Sequence, residues 1–266
     1  LGIGGQLWVL GDDETQIGGV RRFASVSLVG IALVIIGAFV SADIRPWFWL
    51  AAVLADFLTV SIAGRSTWVL QAGHFAERHG LIVIVALGES LIASGAATAG
   101  LDRDLTFAIV TTGAVLATCS LWWMYFGTLQ PKFETALDEQ GDQSRARFAR
   151  DVYSLSHALV VAGVIGVAVG FEEAIAHPEE PLPLAASVAL AVGAALFAGG
   201  LAGAAIRAGI REAVVPRIAF AIVALASIPI ISSVDSGIAL WGLAVTAAAV
   251  SVVEAVRTRT ASPKSA

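Results

Sequence analysis

Charged side chains are scarce in this sequence. Asp, Glu, Lys and Arg make up 14% of 266 residues, where a soluble domain carries roughly a quarter. With 57% hydrophobic residues and a mean hydropathy of +0.83, too little polar surface remains to coat a globule in water, so the solvent for most of the chain is lipid. Cysteine is nearly missing: Cys119 alone excludes an internal disulfide and a Cys-based metal site. Lysine is close to absent, 2 residues against 14 arginines, a compositional bias that carries no mechanism. No GxSxG, Walker or dinucleotide glycine fingerprint occurs, Cys119 has no polar neighbourhood in sequence, and nothing points to nucleic acid. An initiator methionine is also lacking, and the only methionine is Met124. The opening LGIGGQLWVL is shorter than the ~20 residues that cross a bilayer and has no basic n-region. It reads as the tail of a truncated transmembrane helix.

What the chain does hold is apolar runs. Eight candidate spans lie near 23–42, 47–64, 80–99, 105–126, 153–171, 184–206, 217–234 and 237–256. The expected fold is an all-α, polytopic transmembrane bundle. Residues 1–22 form a helix tail and cytoplasmic segment, 23–256 the eight-helix membrane domain and 257–266 a cytoplasmic tail. The basic residues orient it. With the segment before the first span placed inside, 14 of the 16 Arg and Lys residues fall on the cytoplasmic side, leaving only Arg45 and Arg103 outside. The positive-inside rule then puts both termini in the cytoplasm of an inner-membrane protein. The net charge of −5 says less than this placement, and the expected outer loop FEEAIAHPEEP at 171–181 is acidic.

Other features fit packing in lipid. Trp47, Trp49, Trp122, Trp123 and Tyr125 sit at span ends, the headgroup depth that amphipathic rings favour. Gly166 and Gly170, with Gly199, Gly200 and Gly203, put small residues where helix backbones can approach. Pro229 interrupts the seventh span as a packing kink. In the longest connection, 128–152, Phe133, Ala136 and Leu137 fall at helical spacing, which suits either an interfacial helix or a solvated connector.

Three ionisable residues stand out within the spans. Glu89 lies nine residues past Gly80, about 14 Å deep at 1.5 Å per residue, close to the midplane. Asp56 reaches a similar depth from the opposite side, nine residues past Trp47, and His157 lies in the inner third. An ionised carboxylate at such depth costs about +2.5 to +3.5 kcal/mol even on the lenient insertion scale. Glu89, Asp56 and His157 are therefore candidates for an ion or proton site. The alternative is a neutral acid hydrogen-bonded to Ser90 or Ser94 that fixes packing. Before Glu89 come His74, Glu77 and Arg78, spaced to share one helix face at the inner interface. They form a candidate cytoplasmic mouth, against the plainer reading of a snorkelling arginine with an acidic partner. The spacing of His74, Glu77 and His79 matches no common zinc pattern, so no metal, cofactor or catalytic residue is expected.

The stretch HFAERHGLIVIVALGESLIA (74–93) resembles the signature of the bacterial low temperature requirement A family, whose members run a His-x-x-Glu-Arg-aromatic-Gly-Leu segment into Leu-Gly-Glu-Ser. LWWMYFG (121–127) and SLSHALVVAGVIGVAVG (154–170) resemble later family segments. The likeness extends from about Arg21 onward. It places His74, Glu77, Arg78, Gly80, Gly88, Glu89 and His157 at motif positions. His79 stands where the family has an aromatic residue. The family's early acidic Glu-Leu-Phe-Phe-Asp-Leu-like motif has no counterpart here. The resemblance implies identity and location more than mechanism.

Three functional classes fit these residues. The first is a transporter or channel-like protein, moving a small solute or ion, with Glu89 as the protonatable centre. The second is a non-transport scaffold for envelope maintenance and cold adaptation. The third is a membrane-embedded enzyme acting on lipid, since the His74 cluster lies at headgroup depth. The expected partner is the bilayer, and the composition is compatible with a homo-oligomer.

Overall fold

The computed structural model describes residues 14–63, 72–96 and 104–261. The opening stretch 1–10, the basic residues Arg65, Arg103 and Lys264, and the extreme C-terminus lie outside these residues. Everything described is helix or short connection, apart from one isolated antiparallel bridge between Pro181 and Asp235. In chain order the helices are α1 (Glu14–Phe39), α2 (Arg45–Ala63), α3 (Ala72–Ala96), α4 (Leu105–Phe126), α5 (Gln130–Asp138) and α6 (Asp142–Ala149). A π-helical turn at Arg150–Leu155 leads into α7 (Ser156–Ala176). Then come α8 (Leu184–Ala208), α9 (Arg211–Ala226), the short α10 (Ile228–Ile231) and α11 (Ser236–Ala261). A helix thus occupies each position where an apolar run was found.

Local chemistry sets several boundaries. Asp104 caps α4, its carboxylate accepting the Phe107 amide at 2.8 Å. Gly209 ends α8 in the left-handed conformation at φ 76°, which residues with a Cβ avoid. The break between α9 and α10 falls at Ser227, two residues before Pro229, which has no amide to continue the ladder. The expected kink is therefore a full interruption. The expected outer loop is partly helical, since α7 runs on to Ala176. Beyond it the Ser236 hydroxyl lies within hydrogen-bond distance of the Ala174, His177 and Pro178 carbonyls, the His177 oxygen being nearest at 2.9 Å, and its one hydrogen ties that connection to the start of α11.

The chain divides into two compact units. In the first, α1 and α2 form an antiparallel pair, and α6 belongs to the same unit. A Cβ on Gly37 would come within 2.8 Å of the Trp49 indole nitrogen, so glycine lets that ring lie on the α1 backbone. The second unit holds α3–α5 and α7–α11. Its tightest seam joins α7 to α8. A Cβ on Gly163 would fall 2.5 Å from the Phe197 amide nitrogen, and one on Gly193 would fall 2.6 Å from that of Val167. Gly166, Gly170 and Gly200 face the same seam. Gly199 and Gly203 do not: a Cβ on either meets nothing within 4 Å. The small-residue face of α8 is thus offset from the one the Gly199–Gly203 spacing suggests.

The outside of the helices is apolar. Phe39, Val85, Ile92, Ile165, Ile222 and Val252 are each more than half exposed, a surface that water would not tolerate and lipid would. Five helical stretches among the described residues are long and apolar enough to cross a membrane: Ala72–Ala96, Leu105–Asp138, Ser144–Ala176, Leu184–Ala208 and Ser236–Arg257.

Candidate functional site

Among the described residues, the second unit buries ionisable groups in two places. The first lies where α3, α4 and α7 meet. His157, 3% exposed, is one residue into α7, and its Nε2 lies 2.8 Å from the hydroxyl of fully buried Tyr125 on α4. Tyr153, in the π-helical turn, stacks on the His157 ring at 5.4 Å and 15°. His79 of α3 closes the group with its ring centroid 5.1 Å from that of His157 and 5.3 Å from that of Tyr153. The His79 Nδ1–H donates to the Phe75 carbonyl at 2.9 Å. That bond fixes the tautomer of the neutral ring and leaves Nε2 as an acceptor. Two polar atoms remain unsatisfied. Neither the Tyr153 hydroxyl nor His157 Nδ1 makes a hydrogen bond of ordinary geometry among the described residues, although the Val152 and Tyr153 carbonyls lie beside that nitrogen. The wide turn, with its i→i+5 pairing, places them there; such turns recur at functional sites.

The second place is an ion pair. Arg217 of α9 is fully buried and paired with Glu254 of α11, 2% exposed. The guanidinium also donates to the Met124 carbonyl at 2.6 Å, to Thr128 Oγ1 at 3.1 Å and to the Ala213 carbonyl at 3.1 Å. Thr128 in turn donates to Glu254 at 3.0 Å. The network ties together α9, α11 and the end of α4. Near it, at the start of α9, Lys132 donates to Glu212 at 2.7 Å, and that bond holds the Glu212 carboxyl below the usual range.

The sequence-derived candidates are distributed around these features. His157 is at the centre of the aromatic cluster. Tyr125, expected at the headgroup belt, is instead buried and aimed at His157, whereas Trp122 and Trp123 are exposed. Glu89 is exposed on α3, on the face that carries Val85 and Ile92, while Ser90 and Ser94 turn inward and donate to the Leu87 and Ser90 carbonyls. The alternative partnership of Glu89 with those two serines is thus absent, because their hydroxyls bond to their own helix. Asp56 is exposed on α2 in the first unit. Its Oδ1 lies 2.8 Å from where a Gly30 Cβ would stand. His74 and Glu77 approach to 3.5 Å. They line a cavity of about 640 Å³ with Gly80, Leu81, Ile84, Phe126, Gln130 and Glu134, whereas Arg78 is exposed and not among its lining residues. A Cβ on Gly88 would meet nothing within 4 Å. In the first part of the 128–152 connection, α5 packs into the second unit, its Phe133 and Leu137 fully buried and Phe133 edge-on to Tyr153.

Sequence reasoning missed Arg217 and Glu254, which sit at the ends of the seventh and eighth apolar runs and pass for loop charges. An acidic residue two positions inside a span end was the available signal. It also missed His79 and Tyr125 as partners of His157.

Residues 1–252 match the family model described as Bacterial low temperature requirement A protein (LtrA). The match begins at residue 1, ahead of the point near Arg21 where the motif likeness starts. An uncharacterized protein of Rhizobium meliloti (strain 1021) is 29% identical over 155 residues, which cover 54% of this chain and 37% of that protein. The chain therefore aligns with well under half the length of that relative. No solved structure matches.

Proposed function

The chain belongs to the bacterial low temperature requirement A family, and from that premise we propose that it is a transporter or channel-like protein of the inner membrane whose proton-handling centre is the His79–His157–Tyr125–Tyr153 cluster. The observation that carries this reading is the nearly inaccessible His157 ring, hydrogen-bonded to Tyr125 with a second imidazole at 5.1 Å, between helices apolar enough to span. Imidazole is the side chain that changes charge near neutral pH, and two imidazoles this close do not both protonate without strong repulsion. One proton shared between them, passed by the adjoining phenols, is the arrangement proton-coupled carriers need. Glu89, exposed on the helix that carries His79, is the carboxyl proposed to take up a proton or a cation, and the cavity beside His74 and Glu77 is the proposed cytoplasmic mouth. The finer topology, eight spans with both ends cytoplasmic, rests on the 14-to-2 division of basic residues and on a helix at each expected position.

The test is proton flux into proteoliposomes under an imposed membrane potential, followed with an entrapped pH dye. His157→Gln is expected to lower flux at least ten-fold with the helical content unchanged, and Glu89→Gln to shift its pH dependence. Flux that survives both substitutions sinks the reading. The α7–α8 glycine seam favours a second reading, a scaffold in which rings and seam only lock helices together. It expects His157→Gln to support growth in the cold as the parent does.

A further inference from the structure

We propose that the cavity between α3 and the α4–α5 junction is a binding site for an amphipathic organic cation, a primary ammonium carried on an apolar body. The site is graded along its length. One wall is a single face of α3: Gly73, His74 and Glu77 at the start of the helix, then Gly80, Leu81 and Ile84. The other is the stripe Phe126, Gln130 and Glu134, spaced four residues apart. Gly73 to Ile84 is eleven residues, about 16 Å at helical rise. The polar groups are gathered at one end and the apolar ones at the other.

Both walls supply a carboxylate at the polar end, Glu77 from α3 and Glu134 from α5, and no Arg or Lys is among the described lining residues. Lys132, between Gln130 and Glu134 in sequence, is paired with Glu212. Gln130 Nε2 donates to Glu134 at 3.4 Å, which steadies that carboxylate and leaves its second oxygen toward Gly73. With two carboxylates and no lysine or arginine in the described lining, the cavity is negative while His74 is neutral, and an anion head would meet two like charges. At the other end a Cβ on Gly80 would stand 3.4 Å from the Phe126 ring. Glycine there leaves room for an apolar body against the Phe126 ring. A volume of about 640 Å³ suits a molecule of drug-like size. Glu77 is 67% exposed, so charge at the mouth selects the sign of the head, while burial of the body supplies the affinity.

The inference names a solute class for the transport reading and rests on that reading only for its physiological meaning. The test is equilibrium binding by calorimetry to the full chain in phosphatidylcholine nanodiscs, with 4-phenylbutylammonium and 4-phenylbutyrate as probes of equal body and opposite charge. The cation is expected to bind saturably and the anion not to. Glu77→Gln with Glu134→Gln, both at the open end of the site, is expected to weaken the cation at least ten-fold. Gly80→Leu, which fills the floor, should do the same, with thermal melting used to show that each variant is folded. Equal binding of both probes, or cation binding unaltered in the folded variants, overturns the proposal. Repeating the titration with phosphatidylethanolamine in the disc assigns the occupant: competition identifies a lipid headgroup amine, no competition a free amine, and either upholds the site. Binding is read without flux. Lost flux in the parent with binding intact sinks the transport reading alone, and flux without binding sinks this one alone.

Discussion

Two seams in the second unit hold helices together by opposite means. Between α7 and α8 the closest approach is backbone on backbone: Gly163 and Gly193 bring main-chain atoms to distances that no side chain could share. Where α9, α11 and the end of α4 meet, the contact is a charged pair, Arg217 with Glu254, wrapped by Thr128 and the Met124 carbonyl. In lipid there is little hydrophobic force between helices, so association comes from close packing or from polar groups that have no better partner. The first seam is tolerant of chemistry and intolerant of volume. The second is the reverse, because a charge stripped of its partner in a dry interior stays costly whatever its size.

That contrast breaks most visibly at Gly193. Gly193→Leu adds a branched side chain against the Val167 amide and the Gly163 carbonyl, and two backbones must separate to admit it. A loss on the order of 5 kcal/mol or more is expected, at the exceptional end for one substitution, read as loss of the monodisperse species in size-exclusion chromatography. Gly199→Leu, over open space on the same helix, should leave that species intact.

Next in size is Arg217→Ala, which leaves Glu254 buried and uncompensated and should cost about 3–5 kcal/mol. The comparison sharpens with the double change Arg217→Met and Glu254→Leu. Replacing both charges with apolar groups of similar volume is expected to recover most of the loss, measured as the midpoint of denaturant-induced unfolding in micelles. If the double variant is as damaged as Arg217→Ala, the pair acts through something other than burial of charge.

The smallest effect belongs to Lys132 and Glu212, a polar pair at the water-facing margin of that second seam. Lys132 holds the Glu212 carboxyl below its ordinary value. The stability it adds is present above the unfolded-state value and is lost as pH falls through the folded one. Lys132→Gln should therefore destabilise the fold slightly at neutral pH, by under about 1 kcal/mol for a part-exposed pair, read as a small drop in melting temperature that disappears in acid.

How much of the architecture is legible in the sequence depends on the range over which each signal acts. The bounds of α4 coincide with an apolar run because Asp104 and Gly127 mark them locally. The glycine seam is half legible. GVAVG does face α8, but which glycines of α8 answer it depends on rotation about the helix axis, and spacing alone favours Gly199 over Gly193. The aromatic cluster is legible only as His157. Its partner Tyr125 is 32 residues away, and a tyrosine among tryptophans at a span end reads as a headgroup anchor until a structure shows which way it points. Arg217 and Glu254 are separated by still more chain, and each alone looks like a residue on its way out to water.

The widened turn at Arg150–Leu155 winds one residue more than a regular coil accommodates. It behaves as a dislocation in the ladder of main-chain bonds, and each residue it gains or loses rotates the rest of the helix by about 100°. Every inward-pointing group of α7, from His157 to Phe171, inherits its azimuth from that single surplus residue. The chain has thereby set the aim of a whole helix through the length of one turn, without altering any residue that does the pointing.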